Sequence, residues 1–591
     1  MRRVFALAVV MVVLIAAPPN LAMSWGQETP AAAAPATAPA AETPAAEAPF
    51  AEAASTEGAA PPAADPAAPT LPPYMSGASP DPEKPLWPDS TGGTAGYWVT
   101  PSAGPVGDGD PSKMGPAGLY DRIAHNMYSI NMVWILLAGA LVMFMQTGFA
   151  MVEGGLCRAK NAGHTFAMNL MVYPLGCIAF YVYGFAIGWG NWWNAPVAPG
   201  WYSSMGPGTA ILNEGFSITV GRNSLGLFGT KGFCLAGMDD VSVLTLFFFM
   251  MVFMDTTATI PTGTMAERWS WKNFCLFGLW VALPYCLFAN WVWGGGWLAQ
   301  AGRNWGLGHG AVDFAGSSVV HAMGGIIALA GGIVIGPRIG KYVQGKPRPI
   351  PAHSIPFVVC GTFILAFGWF GFNAGSTLSG TDLRIATVVV NTMLASVFGA
   401  TVCMGYLMIR GMKPDPSMIC NGMLAGLVAV TAPCAFIDQW AACLIGAVAG
   451  VLVVESVFFW DRMGIDDPVG AISVHGVNGL WGTIAVGLFA NGKYGMGWNG
   501  VVRKEFDPTG DADGILTDGV RGLFYGDVTQ LYAQLLDCGT VIIFGFSMAY
   551  VWFKFSNLIT PIRVSAEDEV AGLDGPEMGA EGYTGFSMRP E

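Results

Sequence analysis

Charge is what this chain has least of. Only 11% of its 591 residues are Asp, Glu, Lys or Arg, against about 25% in an average soluble domain. That scarcity, beside 53% hydrophobic residues, excludes an ordinary water-soluble fold and leaves a polytopic membrane protein. Basic residues are fewer than acidic ones, 27 against 40, for a net charge of -13. The acids gather in the N-terminal region, in the stretch Glu505 to Asp518 and in the C-terminal tail. No basic patch is offered to a phosphate backbone, so nucleic acid is not an expected partner. Cysteines are present but never as C-x-x-C, and Cys177, Cys275, Cys286, Cys360, Cys403, Cys434, Cys443 and Cys538 fall inside apolar runs. There a thiol acts as a small hydrophobe, and neither a disulfide framework nor a cysteine metal site is expected. No cofactor is called for, and the chain does not read as an enzyme.

The N-terminus has its own logic. "MRRVFALAVVMVVLIAAPPNLAMS" carries two arginines, an apolar core and small residues near Ala22, the pattern of a cleaved signal peptide over 1–23; an uncleaved helix is the alternative. The Ala/Pro-rich extension over 24–125 is too poor in large apolar residues to fold and is expected as a disordered, exported linker. A transmembrane domain over 126–555 and a cytoplasmic regulatory tail over 556–591 complete the expected division.

A bilayer core takes about twenty apolar residues per helix. Candidate spans lie near 132–152, 166–190, 240–263, 273–297, 314–336, 354–375, 385–409, 420–436, 439–460, 470–490 and 530–553. The fold class is therefore all-α and polytopic, with eleven transmembrane helices, the eighth short and Gly-rich. Lys and Arg concentrate in alternate loops, at Arg158 and Lys160, Arg268 and Lys272, Arg338 to Arg348, Arg410 and Lys413, then Lys554 and Arg563. The positive-inside rule puts those loops in the cytoplasm, the N-terminus outside, the C-terminus inside, and the chain in the cell (inner) membrane.

One pattern occurs twice. "DFAGSSVVHAMGG" from Asp313 and "DPVGAISVHGVNG" from Asp467 both read D-x-x-G-x-x-x-V-H-x-x-x-G, in a chain with only six histidines. His321 falls in the fifth span and His475 in the tenth. Spans one to five and six to ten thus look like two copies of a unit with an odd number of helices, which forces opposite orientations. Two inverted five-helix repeats plus a final helix is the expected topology, with a site near the midplane where the repeats meet.

Intramembrane histidines are costly and point to function. Two imidazoles in contact, each able to donate at one nitrogen and accept at the other, make a proton relay. The alternative is a pair satisfied by carbonyls that only holds helices together. A zinc site is poorly served by two histidines without a third ligand. Asp467 reads as a helix cap, whereas Asp313, at the outer end of its span, could either shape the outer vestibule or meet a cation directly. Among aromatics, Phe253 in "FFFMMVFMDTT", Trp293 in "NWVWGGGWL" and Phe372 in "GWFGFNAGS" stand beside small residues and Ser376. Aromatic faces can hold a desolvating cation at about 0.5–2 kcal/mol each, although lipid-facing rings are the commoner use.

"GFAMVEGGLCRAKN", "GTMAERWSW", "WVWGGGWLA", "DFAGSSVVH", "GWFGFNAGS", "DDPVGAISVHGVNGLWGT" and "EVAGLDGPEMG" resemble, in order, the motifs of the ammonium transporter family, the Amt/Mep/Rh superfamily, over about 125 to 590. Trp293 places the resemblance in the Amt/Mep branch. It implies a homotrimer with one pore per protomer and ammonium or ammonia as cargo. It implies an outer substrate-binding site of Phe253, Trp293 and Ser376 with Asp313 beside it, a pore gate of Phe253 and Phe372, and the twin histidines His321 and His475 as proton relay. A PII-type signalling protein is the partner implied at the cytoplasmic tail, with Met578 where a histidine is common. The long N-terminal extension and the loop 303–312 depart from the family pattern.

Cost shapes the expected mechanism. A small ion buried in an apolar pore loses its hydration at an idealised penalty of tens of kcal/mol, which neutral ammonia avoids. The expectation is recruitment of NH4+, deprotonation behind the gate, passage as NH3 and separate, electrogenic relay of the proton. The rivals are an electroneutral NH3 channel and an ammonium sensor; residues 554–591 are too few for an output domain.

Overall fold

The computed structural model describes residues 116–190, 212, 214–495, 498–501 and 519–583, with side chains from 126 onward. The expected leader over 1–23, most of the extension over 24–125 and the stretch Glu505 to Asp518 lie outside the described residues.

Helices dominate. In order they are α1 Pro116–Leu156, α2 Ala159–Trp189, α3 Val241–Met265, α4 Trp271–Val292, α5 Ser317–Ile335, α6 Ile355–Gly375, α7 Arg384–Ile409, α8 Pro416–Thr431, α9 Gln439–Arg462, α10 Ile472–Phe489 and α11 Val528–Ile559. Ten of these are long and apolar enough to cross a membrane; α8, at 16 residues, is shorter. The helices begin where local chemistry tells them to. Asp240, Asp415 and Asp527 each accept from a backbone N–H two residues on, at 2.8, 2.8 and 2.9 Å, satisfying donors that have no partner inside the helix. Pro416 then opens α8, where its missing N–H costs nothing.

The membrane helices are joined in places by β-hairpins that the sequence reading did not contain. Strands β1 Gly215–Val220 and β2 Asn223–Gly229 pair antiparallel between α2 and α3. The hairpin sits on the end of α4, where Trp297 N donates to Gly226 O at 3.0 Å and Trp291 Nε1 to Leu227 O at 2.8 Å. A second, minimal pair, β3 Tyr342–Val343 and β4 Lys346–Pro347, follows α5.

The fifth and tenth helices run in opposite directions. Arg338, just past the end of α5, binds Asp466, just before the start of α10, while His321 and His475 meet partway along. Local structure repeats as well. Residues Ser317–Ala322 and Ile472–Val477 both form π-helical turns, and His321 N donates to Gly316 O, five residues back, at 2.9 Å. The recurring glycine is explained by packing: a Cβ at Gly325 would run into the backbone of Gly476, and one at Gly479 would lie 2.7 Å from Ala322 N. Position thirteen of each copy therefore abuts position ten of the other, a two-fold relation written into the sequence repeat.

Several cations of the expected cytoplasmic loops are mostly or wholly withdrawn from solvent. Arg338 is bidentate to Asp466 at 2.8 and 3.0 Å and reaches Glu267 Oε1 at 3.0 Å; Arg158 Nε bonds Glu267 Oε2 at 2.5 Å, and Arg268 Nη2 bonds Asp466 O at 2.9 Å. Burial by itself would raise the Asp466 carboxyl, but Arg268 and Arg338 hold it below the usual carboxylate range. The ionised form is thus the stabilising one. Its contribution is fully present above the unfolded value of about 4 and is lost only as pH falls through the lower folded value. Breaking a buried pair leaves uncompensated charge at a cost of about 3–5 kcal/mol. Asp466→Asn is expected to lower the thermal unfolding midpoint by several degrees at neutral pH, with wild-type stability flat between about pH 5 and 8 as far as this group is concerned.

After α11, residues to 583 return across the same end. Asp574 accepts from Gly163 N and His164 N at 3.0 and 2.8 Å, Glu577 from Trp271 N at 2.7 Å, and the Tyr583 hydroxyl pairs with His353 Nε2 at 2.7 Å.

Candidate functional site

Seven residues were expected to make the site, and the fold brings six of them, all but the carboxylate of Asp313, together in one column. At the top, α4 ends in Trp293, whose indole N–H donates to Asp313 O at 2.6 Å. That bond fixes the indole edge-on to Phe253 of α3, with centroids 6.1 Å apart and planes at 72°. Phe253 in turn stacks on Phe372 of α6 at 4.0 Å and 21°. One helical turn after Phe372, Ser376 ends α6 and donates its hydroxyl to Phe372 O at 2.8 Å. Trp293, Phe253, Phe372 and Ser376 are all buried.

The histidines lie directly below. The His321 ring is 5.4 Å from Phe372 and 5.2 Å from His475, with roughly parallel planes in both contacts. Their Nδ1 atoms are 3.2 Å apart. One ring must donate there and the other accept, so the pair is joined by a single proton and its tautomers are linked. His321 Nε2 is buried with no hydrogen-bond partner among the described residues. A buried polar atom of that kind is costly and is what a passing hydrogen-bonding molecule would use.

Asp313 is placed differently from a carboxylate that greets a cation. It is fully buried, and its two oxygens accept from the backbone N–H groups of Gly316, Ser317, Ser318 and Val319 and from the Ser318 hydroxyl, all within 2.7–3.0 Å. The carboxylate builds the turn that launches α5, and its carbonyl orients Trp293. Asp467 is the simpler counterpart, accepting from Ile472 N at 2.8 Å and from the Thr264 hydroxyl at 3.0 Å.

Two participants were missed in the sequence. Trp369 of α6 stacks on His321 at 5.1 Å and 21° and is held by a bond from its indole N–H to Thr431 of α8 at 2.9 Å. Its spacing of three from Phe372 on a helix puts both rings on one face, a signal that was available in "GWFGF". Phe149 of α1 packs 6.0 Å from His475 on the other side. Nothing in its sequence context distinguishes it from a lipid-facing ring. The column is therefore aromatic above and below the histidines.

Set beside known proteins, this arrangement has relatives. The sequence profile described as Ammonium Transporter Family matches residues 133–583. This chain belongs to that family. As a family member it is 42% identical over 462 residues to ammonium transporter Amt2 of Archaeoglobus fulgidus, covering 77% of this chain and 89% of the relative. It is 32% identical to Amt1 of the same organism, over 77% of this chain and 99% of that one. Among solved structures it resembles one titled "Sensor Amt Protein" at TM-score 0.63 and 29% identity, covering 77% of this chain and 99% of that one. It also resembles Candida albicans Mep2, at 0.60 and 25%, covering 78% and 90%. The family member is accordingly a multi-pass membrane transporter protein of the Amt/Mep kind.

Proposed function

We propose that the chain is an electrogenic ammonium transporter of the cell (inner) membrane, with its N-terminus outside and a regulatory tail inside, working as a homotrimer with a pore in each protomer. A transmembrane domain over 126–555 carries the pore, a leader over 1–23 and linker over 24–125 precede it, and the tail over 556–591 is the surface for a PII-type partner. Ammonium is recruited at Trp293, Phe253 and Ser376, where the rings offer cation–π attraction of up to about 2 kcal/mol once water is shed. Asp313 acts there through Trp293 and the α5 turn, as a positioning residue. The cation cannot continue intact, because the stacked Phe253 and Phe372 close the column and a bare ion faces a penalty of order 20 kcal/mol. It therefore gives up its proton, NH3 passes the gate, and His321 and His475 relay the proton on a separate path.

The observation that carries this reading is the Nδ1 to Nδ1 contact of 3.2 Å inside a closed aromatic column. A pair built only to hold helices would need neither a linked tautomer nor an unpartnered Nε2. The likeness to a structure titled as a sensor keeps one other reading in view, in which the same site binds ammonium and signals. Current on a solid-supported membrane carrying purified protein decides among them. Ammonium is expected to give a sustained current that potassium does not. Ammonia uptake without current would sink the relay, and binding with neither uptake nor current would favour the sensor.

A further inference from the structure

Of the buried carboxylates left unused by the pore described above, Glu153 is the one that shares a cavity with a pore histidine. Glu153, on α1, is 3% exposed and shares a small cavity with His475, with Asn421 and otherwise apolar side chains such as Phe149, Ile260 and Val474 in the wall. The cavity measures about 20 Å³, enough for one water, which needs roughly 10–15 Å³ and two to four polar partners. Glu153, His475 and the Asn421 amide are the polar groups on that wall. Since His475 turns Nδ1 toward His321, Nε2 is the nitrogen left for other partners.

The bonds around Glu153 allow it to exist in two protonation states. Asn169 Nδ2 donates to Oε2 at 2.7 Å, and the Thr262 hydroxyl lies 3.0 and 2.8 Å from the two carboxylate oxygens. The same hydroxyl is also bonded to Thr259 O, an oxygen that can only accept. One hydroxyl proton serves one acceptor at a time. When Glu153 is ionised, Thr262 donates to it. Once Glu153 is protonated, its O–H donates to Thr262, which turns its own proton to Thr259 O. Neither state strands a buried polar atom, so the usual penalty for changing charge in a dry site is softened.

We propose that Glu153 is the third station of the proton relay, receiving from His475 the proton that the histidines carry. This rests on the relay reading of the proposed function. In the step, the N–H bond at His475 Nε2 breaks as the cavity water takes that proton. The water passes one of its own protons to a Glu153 oxygen, forming the carboxylic acid and leaving His475 neutral. Release from Glu153 toward the inner solution restores the carboxylate.

Glu153→Gln is the discriminating variant, because the amide can donate to Thr262 and accept from Asn169 as the acid does, yet cannot take up a proton. Current on a solid-supported membrane is expected to fall at least about tenfold with the thermal midpoint unchanged. Infrared difference spectra of the wild type on adding ammonium should show a protonated carboxyl band that this variant lacks. Wild-type current in the variant, or no such band in the wild type, would overturn the proposal; the second readout does not depend on the variant folding. If Glu153→Gln conducts while removal of both histidines abolishes current, the third station alone is wrong. If neither change matters, the relay itself is wrong.

Discussion

With alanine at both His321 and His475, the protein is expected to pass no selective ammonium current. The two rings, joined Nδ1 to Nδ1, stand between the stacked phenylalanines and the cavity at Glu153, and each can both take and give a proton. Removing them leaves an apolar conduit with nowhere to hand the charge, and loss of positioned acid–base groups typically costs about 100- to 10,000-fold. Because the Nδ1 atoms share one proton, either single alanine change is expected to cost nearly as much as the double one, a non-additive pattern typical of groups that act as a unit. Steady ammonium currents from the wild type, both single variants and the double variant would test this. Selective current surviving in the double variant would reduce the histidines to structural parts.

Gly325→Val is expected to do comparable damage from outside the column. The site of a Cβ at Gly325 is already taken by the Gly476 backbone and lies 2.9 Å from the His475 carbonyl carbon. Backbone cannot swing aside as a side chain tip can, so α5 and α10 must part. Overpacking of this kind costs about 1–3 kcal/mol, and a shift of even 1 Å takes the 3.2 Å histidine contact beyond hydrogen-bond reach. The expected outcome is a lower unfolding midpoint and at least a tenfold loss of current in protein that still folds. Gly479→Val should behave alike, by the two-fold relation. Gly405→Ala, where a Cβ meets nothing within 4 Å, serves as the control; equal effects at Gly405 and Gly325 would dissolve the argument.

The membrane helices were legible because length and apolarity are what a bilayer demands. Expected bounds of 240–263 and 314–336 stand beside Val241–Met265 and Ser317–Ile335. The eighth span, expected at 420–436, is instead a shorter helix starting at Pro416 behind its Asp415 cap. Meeting of the histidines was legible from the repeat. What the repeat could not disclose was depth. Arg338 counted as a loop cation, yet it is buried between Glu267 and Asp466, since charge counting sees sign and not partners. Asp313 was placed by its position at a mouth, whereas four backbone N–H groups claim its oxygens. Glu153 escaped notice in "MVEGG" because the donors that surround it, Asn169 of α2 and Thr262 of α3, lie outside its own stretch of sequence.

The matched π-helical turns also set a phase. A turn closed five residues back holds one residue more than an α-helical turn, and one residue is about 100° of rotation around a helix. Both copies carry such a turn at their histidine, at Ser317–Ala322 and Ile472–Val477. Side chains after each turn are thereby re-aimed relative to those before it, equally in α5 and in α10, so the two halves meet with their faces in matching rotation.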